Sequence, residues 1–141
     1  MPIRTTGQNI DTLALVRSAI AAEVSVTATS SATGQTCLTL GPFFCEGGTY
    51  RVDVYAPYLT IGTTNLDVEL FVDTVFSTSL SGHMAASLAR PGAVFSALVT
   101  LGNGNHTLLV KGFVDAGTGK FGANNGATGN APNAYGAVYP A

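Results

Sequence analysis

The side chains in this chain that could do chemistry are few: two histidines, a short run of alternating carboxylates and two cysteines. His106 opens an apolar run after the polar stretch Gly102-Asn103-Gly104-Asn105, and His83 lies within Ser81-Gly82-His83-Met84. As a general base, either histidine needs a nucleophile and an orienting acid within hydrogen-bond reach. Asp73, Asp115 and many serines supply the residue types, but no Gly-x-Ser-x-Gly elbow and no zinc-hydrolase histidine pair occurs in the sequence. Both histidines read as turn or strand-end residues bonded to backbone, and no catalytic residue is assigned.

Asp67, Glu69 and Asp73 share one face of a predicted strand over residues 66–73, with Phe71 among them. Carboxylates alternating along a strand stand about 7 Å apart, whereas Ca²⁺ takes oxygens converging from loops with carbonyl support. They read as a solvated face or as partners for Arg51 and Lys111, so no metal is expected. Cys37 and Cys45 flank Gly41-Pro42. A hairpin about Gly41 would set them opposite each other and make a disulfide geometrically conceivable. Two reduced, partly buried thiols are the preferred reading. Their spacing lacks the second ligand pair of a zinc site. Gly102-Asn103-Gly104 is a turn rather than a phosphate loop, since neither Lys-Ser/Thr nor a helix start follows. Asn105-His106-Thr107 fits a glycosylation sequon and is taken as incidental. No cofactor is implied.

Composition narrows the classes further. The 141 residues suffice for one domain burying roughly two-thirds of its unfolded surface. Charged residues are 10% of the chain, against a typical figure of about 25%. With 46% hydrophobic residues, this composition fits a surface partly used up in stable contacts. Net charge is −2 and the six cations are scattered, so no basic stripe faces a phosphate backbone and nucleic acid is not an expected partner. Residues 1–8 lack the apolar core of a secretory signal, and no stretch approaches a membrane span.

Residues 1–10 read as an irregular arm. Asp11 is placed to cap a short helix over residues 12 to about 23, with Leu13, Val16, Ile20 and Val24 on one stripe. A strand through residues 13–16 is the alternative. Residues 24–29 alternate and are Thr-rich, and residues 36–40 form another strand that Gly41-Pro42 ends. A strand over 50–55 stops at Pro57, and a loop leads into 66–73. Weaker strands are predicted at 75–80 and 84–88. Residues 93–101 and 106–114 form the best hairpin, turning at Gly102-Asn103-Gly104-Asn105. The Gly-, Ala- and Asn-rich residues 115–133 have the composition of a disordered linker, and 135–139 form a last short strand. The expected organisation is an arm and short helix over residues 1–23, then one β domain over 24–141.

The strands carry large residues on both faces. Tyr50, Val52, Val54 and Ala56 share one side and Tyr55 the other; Leu108, Val110 and Val114 oppose Leu109 and Phe113, which flank Lys111. An antiparallel sheet needs only one apolar face for a core. The set Tyr55, Phe71, Leu109, Phe113, Tyr135 and Tyr139 is therefore expected at a subunit interface. The alternatives are that it finishes a monomer's core or forms a sugar-stacking platform.

Three runs carry a resemblance: Gly-Thr-Tyr-Arg-Val-Asp-Val-Tyr-Ala-Pro at 48–57, Asn-Leu-Asp-Val-Glu-Leu-Phe-Val-Asp at 65–73, and Val-Thr-Leu-Gly-Asn-Gly-Asn-His-Thr-Leu-Leu-Val-Lys-Gly at 99–112. In pattern and order, residues 24–141 resemble the jelly-roll modules of tumour-necrosis-factor and C1q type that recur in tailed-bacteriophage virions. The resemblance implies an all-β, two-sheet antiparallel jelly-roll sandwich that associates as a homotrimer. It also implies a structural virion protein assembled in the host cytoplasm, a capsid decoration (cement) protein bound to the major capsid protein. On this reading the arm residues Ile3, Arg4 and Ile10 contact the shell. The rival is a receptor- or carbohydrate-binding module of a tail or head fibre.

Overall fold

The computed structural model describes residues 13–61, 65–80, 92–122 and 134–141. Among the described residues, eight strands carry the fold: β1 (Val16–Ala19), β2 (Val24–Val26), β3 (Gln35–Ile61), β4 (Leu66–Val72), β5 (Val75–Ser79), β6 (Gly92–Val114), β7 (Thr118–Phe121) and β8 (Tyr135–Pro140). Every pairing is antiparallel, and the hydrogen-bonded order is β1-β8-β3-β6-β4-β5.

Two long strands run through both layers of a jelly-roll sandwich. Residues 48–57 of β3 pair with 92–101 of β6, and with β8 and β1 they make the front layer. Residues 35–46 of β3 pair with 103–112 of β6, and with β4 and β5 they make the back layer. The crossover falls at Gly47 (φ +91°) and Gly48 (φ +122°) of β3, the latter opposite Leu101, with Gly104 (φ +139°) of β6 close by, opposite Cys45. These angles are accessible to glycine at little steric cost, and they let paired strands turn over together without breaking their register. Residues 58–61 of β3 continue into a small sheet with β7, which also pairs β2.

Alternation then builds the core. Val52, Val54 and Val138 of the front layer, with Leu38, Leu40, Val68, Leu70, Leu108 and Val110 of the back layer, are all at most 2% exposed. Gly136 lets the layers approach, since a Cβ there would stand 3.0 Å from Leu38 Cδ2 and 3.2 Å from Leu40 Cδ2.

Four expectations are corrected. The helix over residues 12–23 is absent from its described part: Val16–Ala19 is a strand, and burial alternates from Leu13 to Ile20. Its ladder partner β8 lies far away in sequence, and pairing overrides the helical spacing of the apolar residues. The hairpin at Gly102-Asn103-Gly104-Asn105 is also absent. Those residues lie inside β6, and both predicted arms pair with β3 instead of each other. Pro57 does not end its strand; it sits opposite Gly92 near the end of the β3–β6 ladder. Gly41-Pro42, joined by a cis peptide, is a register shift inside β3 rather than a hairpin, so Cys37 and Cys45 lie along one strand as buried, free thiols.

The weak strand at 75–80 is β5, the last short strand is β8, and β7 lies unforeseen within the Gly-rich stretch. The arm residues Ile3, Arg4 and Ile10, the strand at 84–88 and His83 lie outside the described residues.

Candidate functional site

The outer face of the front layer gathers the side chains best suited to hold a ligand. Its registers define rows running across four strands. Arg17, Ala137, Asp53 and Ser96 occupy one row. Ala19, Tyr135, Tyr55 and Val94 occupy the row on one side of it, and Tyr139, Arg51 and Leu98 the row on the other. Because side chains on one strand face repeat every second residue, all of these point away from the core.

Tyr55 and Tyr135 stack with ring centroids 5.2 Å apart and planes 29° apart. Tyr135 is 53% exposed. Tyr139 lies under the Arg51 guanidinium, whose Cζ is 4.9 Å from the ring centroid. Arg51 Nε donates to Asp53 Oδ2 at 3.0 Å, and Ser96 Oγ donates to Asp53 Oδ1 at 2.6 Å. Both Asp53 oxygens are thereby engaged and the guanidinium is fixed on two sides. Among the described residues, the hydroxyls of Tyr55, Tyr135 and Tyr139 have no hydrogen-bond partner. Two adjoining hollows open over these side chains. One of about 370 Å³ is lined by Arg17, Ser18 and Ala19 with Tyr135, Ala137 and Tyr139; one of about 260 Å³ is lined by Asp53, Tyr55, Val94 and Ser96 with the same residues of β8.

The six residues expected at a subunit interface do not come together. Tyr55, Tyr135 and Tyr139 lie on the front face, whereas Phe71, Leu109 and Phe113 lie on the outer face of the back layer. Phe71 is 7% exposed within its own chain. Phe76 meets it edge-on at 5.8 Å, and Lys111 Nζ lies 4.5 Å above its ring. Its burial therefore needs no second subunit.

Of the carboxylates, Asp67 and Glu69 keep one face of β4 with Phe71, Asp67 being buried there rather than solvated, and Asp73 leaves that face for the β4–β5 turn. Glu69 faces Lys111 in register and accepts a hydrogen bond from the Ser31 hydroxyl. Arg51, expected among these partners, is on the other layer with Asp53. Asp115 accepts the Asn65 N–H at 2.8 Å and its side-chain amide at 3.3 Å, fastening the entry to β4. Asp73 Oδ2 meets His106 Nδ1 at 2.6 Å, and the other ring nitrogen meets the Gly102 carbonyl at 3.0 Å. Both nitrogens face acceptors, so His106 has no free lone pair for a nucleophile's proton. The Thr107 N–H and then His106 hold Asp73 below the usual carboxylate range, while Asp73 and then the Gly102 carbonyl raise His106. Burial pushes the Cys37 thiol up to about 12.

The sequence missed Arg17, Asp53, Ser96, Val94 and Leu98 as neighbours of the tyrosines. Alternation in Arg51-Val52-Asp53-Val54-Tyr55 did set Arg51, Asp53 and Tyr55 on one face. Nothing local announced that β8 and β6 would flank them.

No family model and no curated protein matches the chain. Among solved structures, it is similar to the EclA C-terminal domain, a sugar-binding protein, at 15% identity and a TM-score of 0.48, over 74% of this chain and 76% of that one. It is similar to a family 35 carbohydrate-binding module from Clostridium thermocellum at 13% identity and a TM-score of 0.41, over 86% and 100%. It is also similar to a carbohydrate-binding module from Cellvibrio mixtus lichenase 5A, solved with cellotriose, at 12% identity and a TM-score of 0.41, over 92% and 99%.

Proposed function

We propose that this chain is a non-catalytic binding module that lays a saccharide chain across the outer face of its front layer. One observation carries the reading: three tyrosines with hydroxyls unpartnered among the described residues line a shallow trough beside a fixed Arg–Asp–Ser network. Sugar rings pair apolar C–H faces with hydroxyl rims, and tyrosine offers an apolar face with a polar tip. Tyr135 and Tyr139 stand about 13 Å apart along β8, which favours a chain of rings over a single one. The test is affinity electrophoresis against a panel of soluble neutral and acidic polysaccharides. Retardation by at least one, lost in Tyr135→Ala with the fold intact, supports the reading; no retardation by any overturns it.

A second reading is a homotrimeric structural protein of a phage virion, a capsid decoration protein packed on its own copies and on the major capsid protein. Val94 and Leu98 favour it, being 73% and 66% exposed on the same face as the tyrosines. Light scattering separates the two. A trimer that Leu98→Glu dissociates supports the structural role; a monomer at micromolar concentration removes it.

A further inference from the structure

We infer that the saccharide is acidic, carrying uronic-acid carboxylates, and that Arg51 anchors one of them by a bidentate pair. This rests on the saccharide reading above and names its substrate class. Arg51 is held as a recognition group is held, not as a surface ion pair adrift in solvent. Its Nε edge is taken by Asp53 at 3.0 Å, and its planar face is set over Tyr139 at 4.9 Å. Among the described residues, the two terminal nitrogens meet no acceptor, and the side chain remains 43% exposed. What remains is a planar fork with N–H groups aimed along its outer edge, the geometry that two parallel hydrogen bonds to a carboxylate require.

The charges of the face agree. Both described arginines, Arg17 and Arg51, lie on it, in a chain with only 10% charged residues and net charge −2. Asp53 is the one acid in these rows, and its oxygens are already occupied by Arg51 and Ser96. Arg17 lines the larger hollow beside Tyr135 and Tyr139. A neutral sugar would offer the fork only hydroxyl oxygens, and a hydrogen bond to a carboxylate is about twice as strong.

The test compares polygalacturonate and alginate with the fully methyl-esterified galacturonan, which keeps the backbone and removes the charge. Isothermal titration should give the free acid at least about tenfold tighter binding than its ester at low salt. Arg51→Gln should erase that preference, lowering the affinity for the free acid about tenfold more than that for the ester, with the fold retained by circular dichroism. Arg51→Lys, which keeps the charge but not the fork, should restore little of it. Equal binding of acid and ester, or binding of neutral polysaccharides alone, overturns the carboxylate assignment and leaves the saccharide reading standing. Binding of no polysaccharide overturns both.

Discussion

Asp73 and His106 hold each other across two neighbouring strands. Oδ2 of the first meets Nδ1 of the second at 2.6 Å, and Oδ1 accepts the Thr107 N–H at 2.8 Å. Asp73 is also the first central residue of the tight β4–β5 turn, at φ +48°. One ion pair thus ties the turn of that hairpin to β6. His106 contributes its full share of stability below its ordinary 6.5 and loses it as pH rises through its raised folded value. Asp73 contributes fully above its ordinary 3.8 and loses its share as pH falls through its lowered folded value. His106→Gln should therefore cost most between about pH 4 and 6.5 and progressively less in alkaline buffer. Melting temperatures of both proteins across pH 4–9 check this; a pH-independent gap would refute it.

Thr74 follows Asp73 at φ +76°, a conformation that suits glycine and strains a β-branched residue. Thr74→Gly should stabilise the protein by about 1 kcal/mol, read as a higher urea midpoint with unchanged slope.

Phe71 is covered by Phe76 and Lys111 of its own chain. Phe71→Ala should cost about 3 kcal/mol of folding stability without changing the association state. A shift in oligomer size at unchanged melting temperature would place Phe71 in an intersubunit contact after all.

Cys37 and Cys45 are each 3% exposed, and the Cys37 thiol is pushed up to about 12. A thiol reagent at pH 8 should find both silent in the folded protein and both reactive in denaturant. Rapid labelling of either in the folded state would contradict this burial.

The β class of the fold, the inward faces of β3, β4 and β6 and the last strand could all be read in the sequence, because alternation at period two is local. The identity of partners could not. Gly102-Asn103-Gly104-Asn105 has the composition of a hairpin turn, yet it pairs with residues 44–46 of β3 and bends the ladder at Gly104. The same limit hid the site. The sequence groups Tyr55 and Tyr135 with aromatic residues of the other layer, and only the β3–β8 register stacks one on the other and brings Arg51 over Tyr139.

Because β3 and β6 each belong to both layers, neither layer is a separable folding unit. Their ladder joins distant parts of the chain, with β4 and β5 inserted between its two strands. Loop-closure entropy must be met before most of the core can form, a topology associated with slow, cooperative folding. The trough and the opposite layer should then be lost in one unfolding transition, so damage far from the tyrosines dismantles the surface as surely as damage beside them.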